Sequence, residues 1–229
     1  MNQLLIFDLD GVLLNTEQLY MEMNLRYFTR LGFSVSEQEY HTFIGTSATN
    51  MWQYLKSKHQ LPQPLHQLIT DEKELKYQTL QQTTLTPSEG IVLLLERLAN
   101  AGIPMAIASS GMRKNIDLIL EKLQLSHFFD HIVSGEQVER GKPEPDIFLK
   151  AAAYFGTAPQ HCTVIEDSEN GVKAAKAAGM FCLGYSNPGS GNQNLHAADW
   201  IFCSFLEPKL FAVLGLDDKS VSLFNNKFH

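Results

Sequence analysis

Leu4-Leu5-Ile6-Phe7-Asp8-Leu9-Asp10-Gly11 sets four apolar residues in a row against two acids and a glycine. Side chains alternate across a strand, so a run that is apolar at every position suits a strand buried on both faces. Strands of that kind belong to parallel sheets with helices above and below. The acids stop the strand, and ligands of such sheets bind outside the strands' carboxyl ends. Read this way, the chain is an α/β protein whose chemistry begins at residue 8.

The pattern returns downstream. Ile103-Pro104-Met105-Ala106-Ile107-Ala108, Ile132-Val133, Cys162-Thr163-Val164-Ile165 and Met180-Phe181-Cys182-Leu183 read as strands, with Ala198-Asp199-Trp200-Ile201-Phe202 as a last short one. Helices are expected between them. One opens at Ser88-Glu89-Gly90-Ile91, with Ser88 or Thr86 as N-cap, and closes at Ala101-Gly102. Another spans about 113–123, a third runs from Pro143 and Pro145 to Phe155, and a fourth is capped by Ser168 and ends at Ala178-Gly179. This alternation predicts a doubly wound parallel sheet with right-handed crossovers. Residues 15–82 break it. They are rich in Gln, Glu, Tyr, Met and Lys, show helical spacing at Leu19, Met23 and Tyr27, and contain no strand-like run. We read them as a small inserted α-helical domain with Trp52, Tyr54 and Leu55 in its core; residues 1–14 and 83–229 form the α/β core.

The 229 residues, 44% hydrophobic and 19% charged, suffice for a packed interior without disulfides or structural metal. The longest apolar runs, 4–7 and 91–95, fall far short of a membrane span, and acids at 8 and 10 argue against a signal peptide. A net charge of −7 argues against a nucleic-acid partner. Cys162, Cys182 and Cys203 lack metal-ligand spacing and are expected as small core residues. Together these features predict a cytoplasmic protein with reduced thiols and no membrane or nucleic-acid partner, monomeric with a dimer left open.

Asp8, Ser109 and Glu166 each follow or end a predicted strand, so a parallel sheet gathers them, with Asp10, Lys142 and Asp167, on one edge. Four carboxylates cannot all ionise side by side without compensation. Lys142 supplies one positive charge and a divalent cation would supply two. Oxygen ligands with few histidines favour Mg²⁺ over zinc. The Ser109 hydroxyl, at a turn that exposes backbone N–H groups of a helix start, suits a phosphate oxygen. Each residue alone has a plainer reading: an Asx turn, a helix cap, a solvated lysine, first-turn acids. Their convergence is what argues against those. His127 and His131, four apart, flank what reads as a bend rather than a metal pair, and Gly189-Ser190-Gly191 reads as a flexible loop without a dinucleotide fingerprint.

In order and spacing, Asp8-Leu9-Asp10-Gly11-Val12, Ala108-Ser109-Ser110, Gly141-Lys142-Pro143-Glu144-Pro145 and Val164-Ile165-Glu166-Asp167-Ser168 resemble the motifs of the haloacid-dehalogenase-like (HAD) phosphohydrolase superfamily, over about residues 1–205. The insertion resembles the α-helical cap of its phosphatase and beta-phosphoglucomutase subgroup. The resemblance implies a Rossmann-like core, Asp8 as nucleophile, and Asp10 as general acid and base. It implies Ser109, Ser110 and Lys142 as phosphate-binding residues. Asp8, the Asp10 carbonyl and Asp167 would hold Mg²⁺, with Glu166 bound directly or through water. The implied activity is Mg²⁺-dependent hydrolysis of a small phosphomonoester, a sugar phosphate or similar metabolite, through an aspartyl-phosphate. A phosphomutase, or a receiver-type module that merely accepts phosphate, is the alternative. Mutases of this subgroup carry a histidine and an arginine where this chain holds Tyr20 and Ala48, which favours hydrolysis. Asn15-Thr16-Glu17 also departs at residue 15 from the usual Asp-Ser/Thr-Glu. In the cap, Glu17, Ile44-Gly45-Thr46-Ser47 and Asn50 are expected to face the site, with Glu17, Gly45 and Thr46 as specificity residues. Six basic and seven acidic residues between 15 and 82 give no hint of a polyanionic substrate.

Overall fold

The computed structural model describes residues 4–44 and 46–216. β1 (Leu4–Phe7) is completely buried. Leu5 and Phe7 point to one face of the sheet, Leu4 and Ile6 to the other, which is why the run carries no polar side chain. β2 (Met105–Ser109), β3 (His131–Ser134), β4 (Cys162–Glu166), β5 (Phe181–Tyr185) and β6 (Trp200–Phe202) complete the sheet. Their order is β3-β2-β1-β4-β5-β6 and every neighbouring pair is parallel. Phe7 stands level with Ile107 and Ile165, so β1, β2 and β4 finish on one edge.

Between β1 and β2 come α1 (Glu17–Arg30), α2 (Glu37–His41), α3 (Ala48–His59), α4 (Leu65–Gln82) and α5 (Ile91–Asn100). α5, α6 (Arg113–Leu123) and α9 (Pro208–Val213) cover one face of the sheet: Leu94, Ile116 and Leu210 join Leu5 and Phe7 in one apolar cluster. α7 (Asp146–Tyr154) and α8 (Glu169–Ala177) cover the other, where Phe148 and Val172 pack with Leu4, Ile6 and Val164. This is the doubly wound α/β arrangement expected from the alternation of strands and helices.

α1 to α4 enclose an apolar centre of their own, built on Phe28, Trp52 and Leu68. The Trp52 ring meets Tyr27 and Phe28 edge-on, with centroids 5.5 Å away in each case, a geometry that suits the aromatic quadrupoles. Its indole N–H donates to Glu72 Oε2 at 2.7 Å, and Lys76 Nζ lies 2.9 Å from Glu72 Oε1. These two partners are what let a carboxylate sit inside the helical unit.

Some local expectations change. α5 starts from Gly90, in the left-handed region at φ 81°, and not from a Ser88 or Thr86 cap. The Ser88 N–H donates to the Leu13 carbonyl, and a Cβ at residue 90 would stand 2.7 Å from Leu206 Cδ2, so the turn closes only with glycine there. Tyr54 is 49% exposed, leaning on Phe43, and is not part of the helical core. Cys203 is exposed just beyond the edge strand β6, whereas Cys162 and Cys182 are buried as expected. Among the described residues no helix is long and apolar enough to cross a membrane.

Candidate active site

β2 and β4 lie on opposite sides of β1, so the crevice of the sheet opens at the end of β1. Asp8 occupies it, its N–H donating to the Ile165 carbonyl at 3.0 Å. The chain then folds back tightly: the Leu13 N–H donates to Leu9 and the Gly11 N–H to Leu14. Gly11 sits at φ 85°, and a Cβ there would stand 1.9 Å from Asp167 Oδ2. Glycine at that position lets the loop after β1 approach the loop after β4. Gly171 does the same in the first turn of α8, where a Cβ would collide with the Glu166 carboxylate.

Lys142 arrives from the loop between β3 and α7. Its ammonium donates to Asp8 Oδ1 at 2.5 Å, to Glu166 Oε1 at 2.6 Å and to the Ala108 carbonyl at 3.0 Å. All three hydrogens are committed, and the side chain is only 6% exposed. Glu166 is equally engaged, since its Oε2 accepts from the Ser168 N–H and hydroxyl. Ser109, buried at the end of β2, accepts from the Gly111 N–H at 3.0 Å where the chain turns toward α6. Ser110, exposed on the same turn, lines the pocket beside it. Asp10 accepts a 2.6 Å hydrogen bond from the Thr16 hydroxyl.

Two residues that sequence reasoning missed complete this edge. The Ser190 hydroxyl donates to Asp167 Oδ2 in a short contact. Asn187 Nδ2 holds Ser190 Oγ at 2.8 Å and the Gly11 carbonyl at 3.0 Å. The segment read as a free loop is therefore a wall of the site. Its signal in the sequence was position alone: it follows β5 on the same edge.

Acids outnumber bases in this crevice, and burial above all raises their proton affinities. Burial pushes Asp8 up to about 7, with Lys142 pulling down and Glu166 and Asp10 pushing further up. Burial, then Glu166 and Asp8, hold Asp167 well above the carboxylate range. Asp10 is raised by burial against the Thr16 hydroxyl and the charges of Lys76 and Lys142. Burial opposes the charge on Lys142, yet its two carboxylate partners hold its pKa above the ordinary lysine value.

The pocket above these groups has a volume of about 150 Å³ and is lined by Asp8, Asp10, Ser109, Ser110, Lys142 and Asp167, with Glu17 and Ile44 from the helical unit. Glu17 is pushed up to about 7 by burial and by Asp10. A second chamber of about 110 Å³, entirely within the helical unit, shares Glu17 and Ile44 and is lined further by Tyr20, Tyr40, Thr46, Glu72 and Lys76. Thr46 therefore reaches this upper chamber and not the carboxylate pocket. Ser47 and Asn50 are engaged instead in starting α3, the Ser47 hydroxyl accepting from the Asn50 N–H. Gly45 lies outside the described residues. Lys76, Tyr40 and Glu72 were not foreseen. His131 stacks on Tyr154 at 3.7 Å and His127 leans on Phe128. A larger groove of about 510 Å³ between α1 and α4 shares no residue with this site.

Residues 5–185 match the family described as haloacid dehalogenase-like hydrolase, and the chain belongs to it. Within that family it is a capped phosphatase, a phosphoric monoester hydrolase. It is 32% identical over 178 residues to the phosphorylated carbohydrates phosphatase of Thermotoga maritima, covering 76% of this chain and 81% of that protein. It is 41% identical over 121 residues to the beta-phosphoglucomutase of Bacillus subtilis, 52% of each chain. Among solved structures, CbbY of Rhodobacter sphaeroides in complex with phosphate superposes with a TM-score of 0.80 at 26% identity, over 90% of this chain and 96% of that one. A mutant of that CbbY was also solved with xylulose-(1,5)bisphosphate. Members of the family typically use Mg²⁺.

Proposed function

We propose that this chain hydrolyses a small phosphomonoester, a sugar phosphate or similar metabolite, through an aspartyl-phosphate on Asp8 with Mg²⁺ as cofactor. The observation that carries the reading is the Lys142 ammonium clamped between Asp8 and Glu166 on the strand edge, in a pocket that Ser109 also lines. Lys142 holds the carboxylate in place and leaves one Asp8 oxygen free of it. That oxygen attacks phosphorus while the bond to the leaving oxygen breaks, and Asp10 gives the leaving oxygen its proton. Water then attacks the same phosphorus, its proton passes to Asp10, and the Asp8–phosphorus bond breaks. Ser109 and Ser110 hold the phosphoryl oxygens through both steps, joined by Lys142 as it exchanges one of its three hydrogen bonds for a phosphoryl oxygen. The raised proton affinity of Asp10 suits a group that must arrive protonated.

The residues present fit a hard cation. The crevice carries surplus negative charge, although among the described residues no three His, Cys, Asp or Glu side chains group closely enough to hold an ion by themselves. Mg²⁺ needs only one or two carboxylates and keeps several waters. Asp8, Asp167 and the Asp10 carbonyl are such a set, and Glu166, with both oxygens engaged, would meet the ion through water. Bound there, the ion would neutralise charge on the phosphoryl oxygens.

The test is phosphate release from p-nitrophenyl phosphate and from a panel of phosphorylated metabolites, with Mg²⁺ and with chelator. Turnover that stops on chelation, and is lost in a folded Asp8→Asn variant, is expected. Metal-independent turnover, or an Asp8→Asn variant keeping more than about a hundredth of the rate, overturns the reading. Similarity to a mutase raises the mutase alternative, which isomer formation without free phosphate would establish.

A further inference from the structure

The loop after β5 reaches both the Asp10 turn and Asp167, and one side chain spans the two. Asn187 Nδ2 donates to the Gly11 carbonyl at 3.0 Å and to Ser190 Oγ at 2.8 Å. The buried Ser190 hydroxyl gives its own hydrogen to Asp167 Oδ2. Gly11 is thereby held on both sides: its N–H donates to the Leu14 carbonyl at 2.7 Å, and its carbonyl accepts from Asn187. The first of those bonds lies on the peptide that carries the Asp10 carbonyl. The loop is itself anchored. Gln193 Nε2 donates to the Ser190 carbonyl at 3.1 Å, and Gln193 Oε1 accepts from the Glu169 N–H that opens α8. Gly189 leaves no room to shift, since a Cβ there would stand 1.6 Å from Asn15 Nδ2. Asn187 Oδ1 accepts from the Gly189 N–H at 2.9 Å, an Asx turn that aspartate would make equally well. Aspartate has no hydrogens to give to two other segments, and the asparagine amide has two. The turn alone therefore does not account for an asparagine here.

We propose that Asn187 is a positioning residue that fixes the span between the Asp10 carbonyl and Asp167, and so makes the site favour Mg²⁺ over Ca²⁺. Asn187 does not line the carboxylate pocket, so it acts only through Gly11 and Ser190. Mg²⁺ demands a near-ideal octahedron with oxygens at about 2.0–2.1 Å, whereas Ca²⁺ accepts irregular shells at about 2.3–2.6 Å. A fixed span serves the smaller, stricter ion. A slack one costs Mg²⁺ its geometry while Ca²⁺ adapts. The inference rests on the Mg²⁺ reading above and goes beyond it by naming the side chain that sets the ion's fit.

The test is calorimetric titration of the metal-free protein with MgCl₂ and with CaCl₂, without substrate, and thermal melting in chelator to check the fold. Asn187→Leu keeps the size of the side chain and removes every hydrogen bond it makes. Asn187→Asp keeps the turn and removes only the two donors. Its added charge attracts both divalent ions, so the ratio of the two affinities is the readout. The wild type should bind Mg²⁺ more tightly than Ca²⁺. Asn187→Leu should weaken Mg²⁺ at least about tenfold and Ca²⁺ less than about threefold, as expected for a group that orients metal ligands. In Asn187→Asp the Mg²⁺ to Ca²⁺ preference should fall at least about threefold. A preference within about twofold of wild type in either folded variant overturns the inference, because a merely structural asparagine lowers the melting temperature and leaves the ratio alone. Equal affinity of the wild type for the two ions, or failure of both variants to fold, overturns it as well. All these outcomes leave the Mg²⁺ reading standing. A wild type that binds neither ion would instead reject that reading, and the inference with it.

Discussion

Replacing Lys142 by methionine keeps the length of the side chain and removes its charge. The ammonium makes three hydrogen bonds of 2.5, 2.6 and 3.0 Å in a site where it is 6% exposed. Removing one partner of a buried ion pair costs about 3–5 kcal/mol, because the other is left without a counter-charge. Asp8 and Glu166 can escape that penalty only by taking up a proton. Asp8 already stands at about 7 with Lys142 pulling it down, so it rises further in the variant. An acid whose folded pKa exceeds its unfolded value carries its full stability penalty above the folded pKa, and sheds it as pH falls toward the unfolded one. Urea melts of wild type and Lys142→Met in chelator should therefore differ by about 3 kcal/mol or more at pH 8. At pH 5.5 the gap should narrow by at least about 1.4 kcal/mol, the worth of one pKa unit. Turnover should fall at least about a hundredfold, since a phosphoryl donor and an ionised nucleophile are lost together. A gap below about 1 kcal/mol at pH 8, or one that does not change with pH, would refute the reasoning; both lie well under the cost of baring a buried carboxylate.

Three further outcomes are expected. In chelator, the wild-type melting temperature should fall as pH rises from about 5 to 8, because Asp8, Asp10 and Asp167 all have raised proton affinities; the lowered His131 opposes this only weakly, and Mg²⁺ should flatten the slope. A flat or rising curve in chelator contradicts the burial of these three carboxyl groups. Ser190→Ala removes the hydroxyl that orients Asp167, and a Mg²⁺ titration of activity should show about tenfold weaker apparent affinity, against no change if Asp167 does not meet the ion. Asp10→Asn should slow both formation and breakdown of the phosphoenzyme in rapid-quench experiments, and unchanged rates would remove Asp10 from proton transfer.

Much of the fold could be read from residues whose environment leaves little choice. Leu4 to Phe7 are apolar on both faces because helices cover both faces, and each acid or serine at a strand end inherits its place from the parallel sheet. That is why Asp8, Asp10, Ser109, Lys142, Glu166 and Asp167 could be gathered before any coordinates. Asn187 and Ser190 could not, because an Asn and a Ser in a Pro/Gly-rich loop look the same whether they hold a carboxylate or face solvent. Lys76 and Tyr40 were hidden for a different reason. Helical periodicity says which residues share a face, but which face looks down on the pocket depends on how α1 to α4 pack around Trp52. Gly90 escaped because a serine nearby is the commoner start of a helix, and here tight packing against Leu206 decided otherwise.

The account stands on Asp8 as the atom donor to phosphorus. Borohydride reduction of acid-quenched enzyme converts an acyl phosphate to the alcohol, so Asp8 should appear as homoserine in the peptide mass spectrum. The account predicts homoserine at residue 8 alone, only when substrate and Mg²⁺ are both present. Reduction at any other residue, or a phosphate burst with residue 8 unmodified, would contradict it.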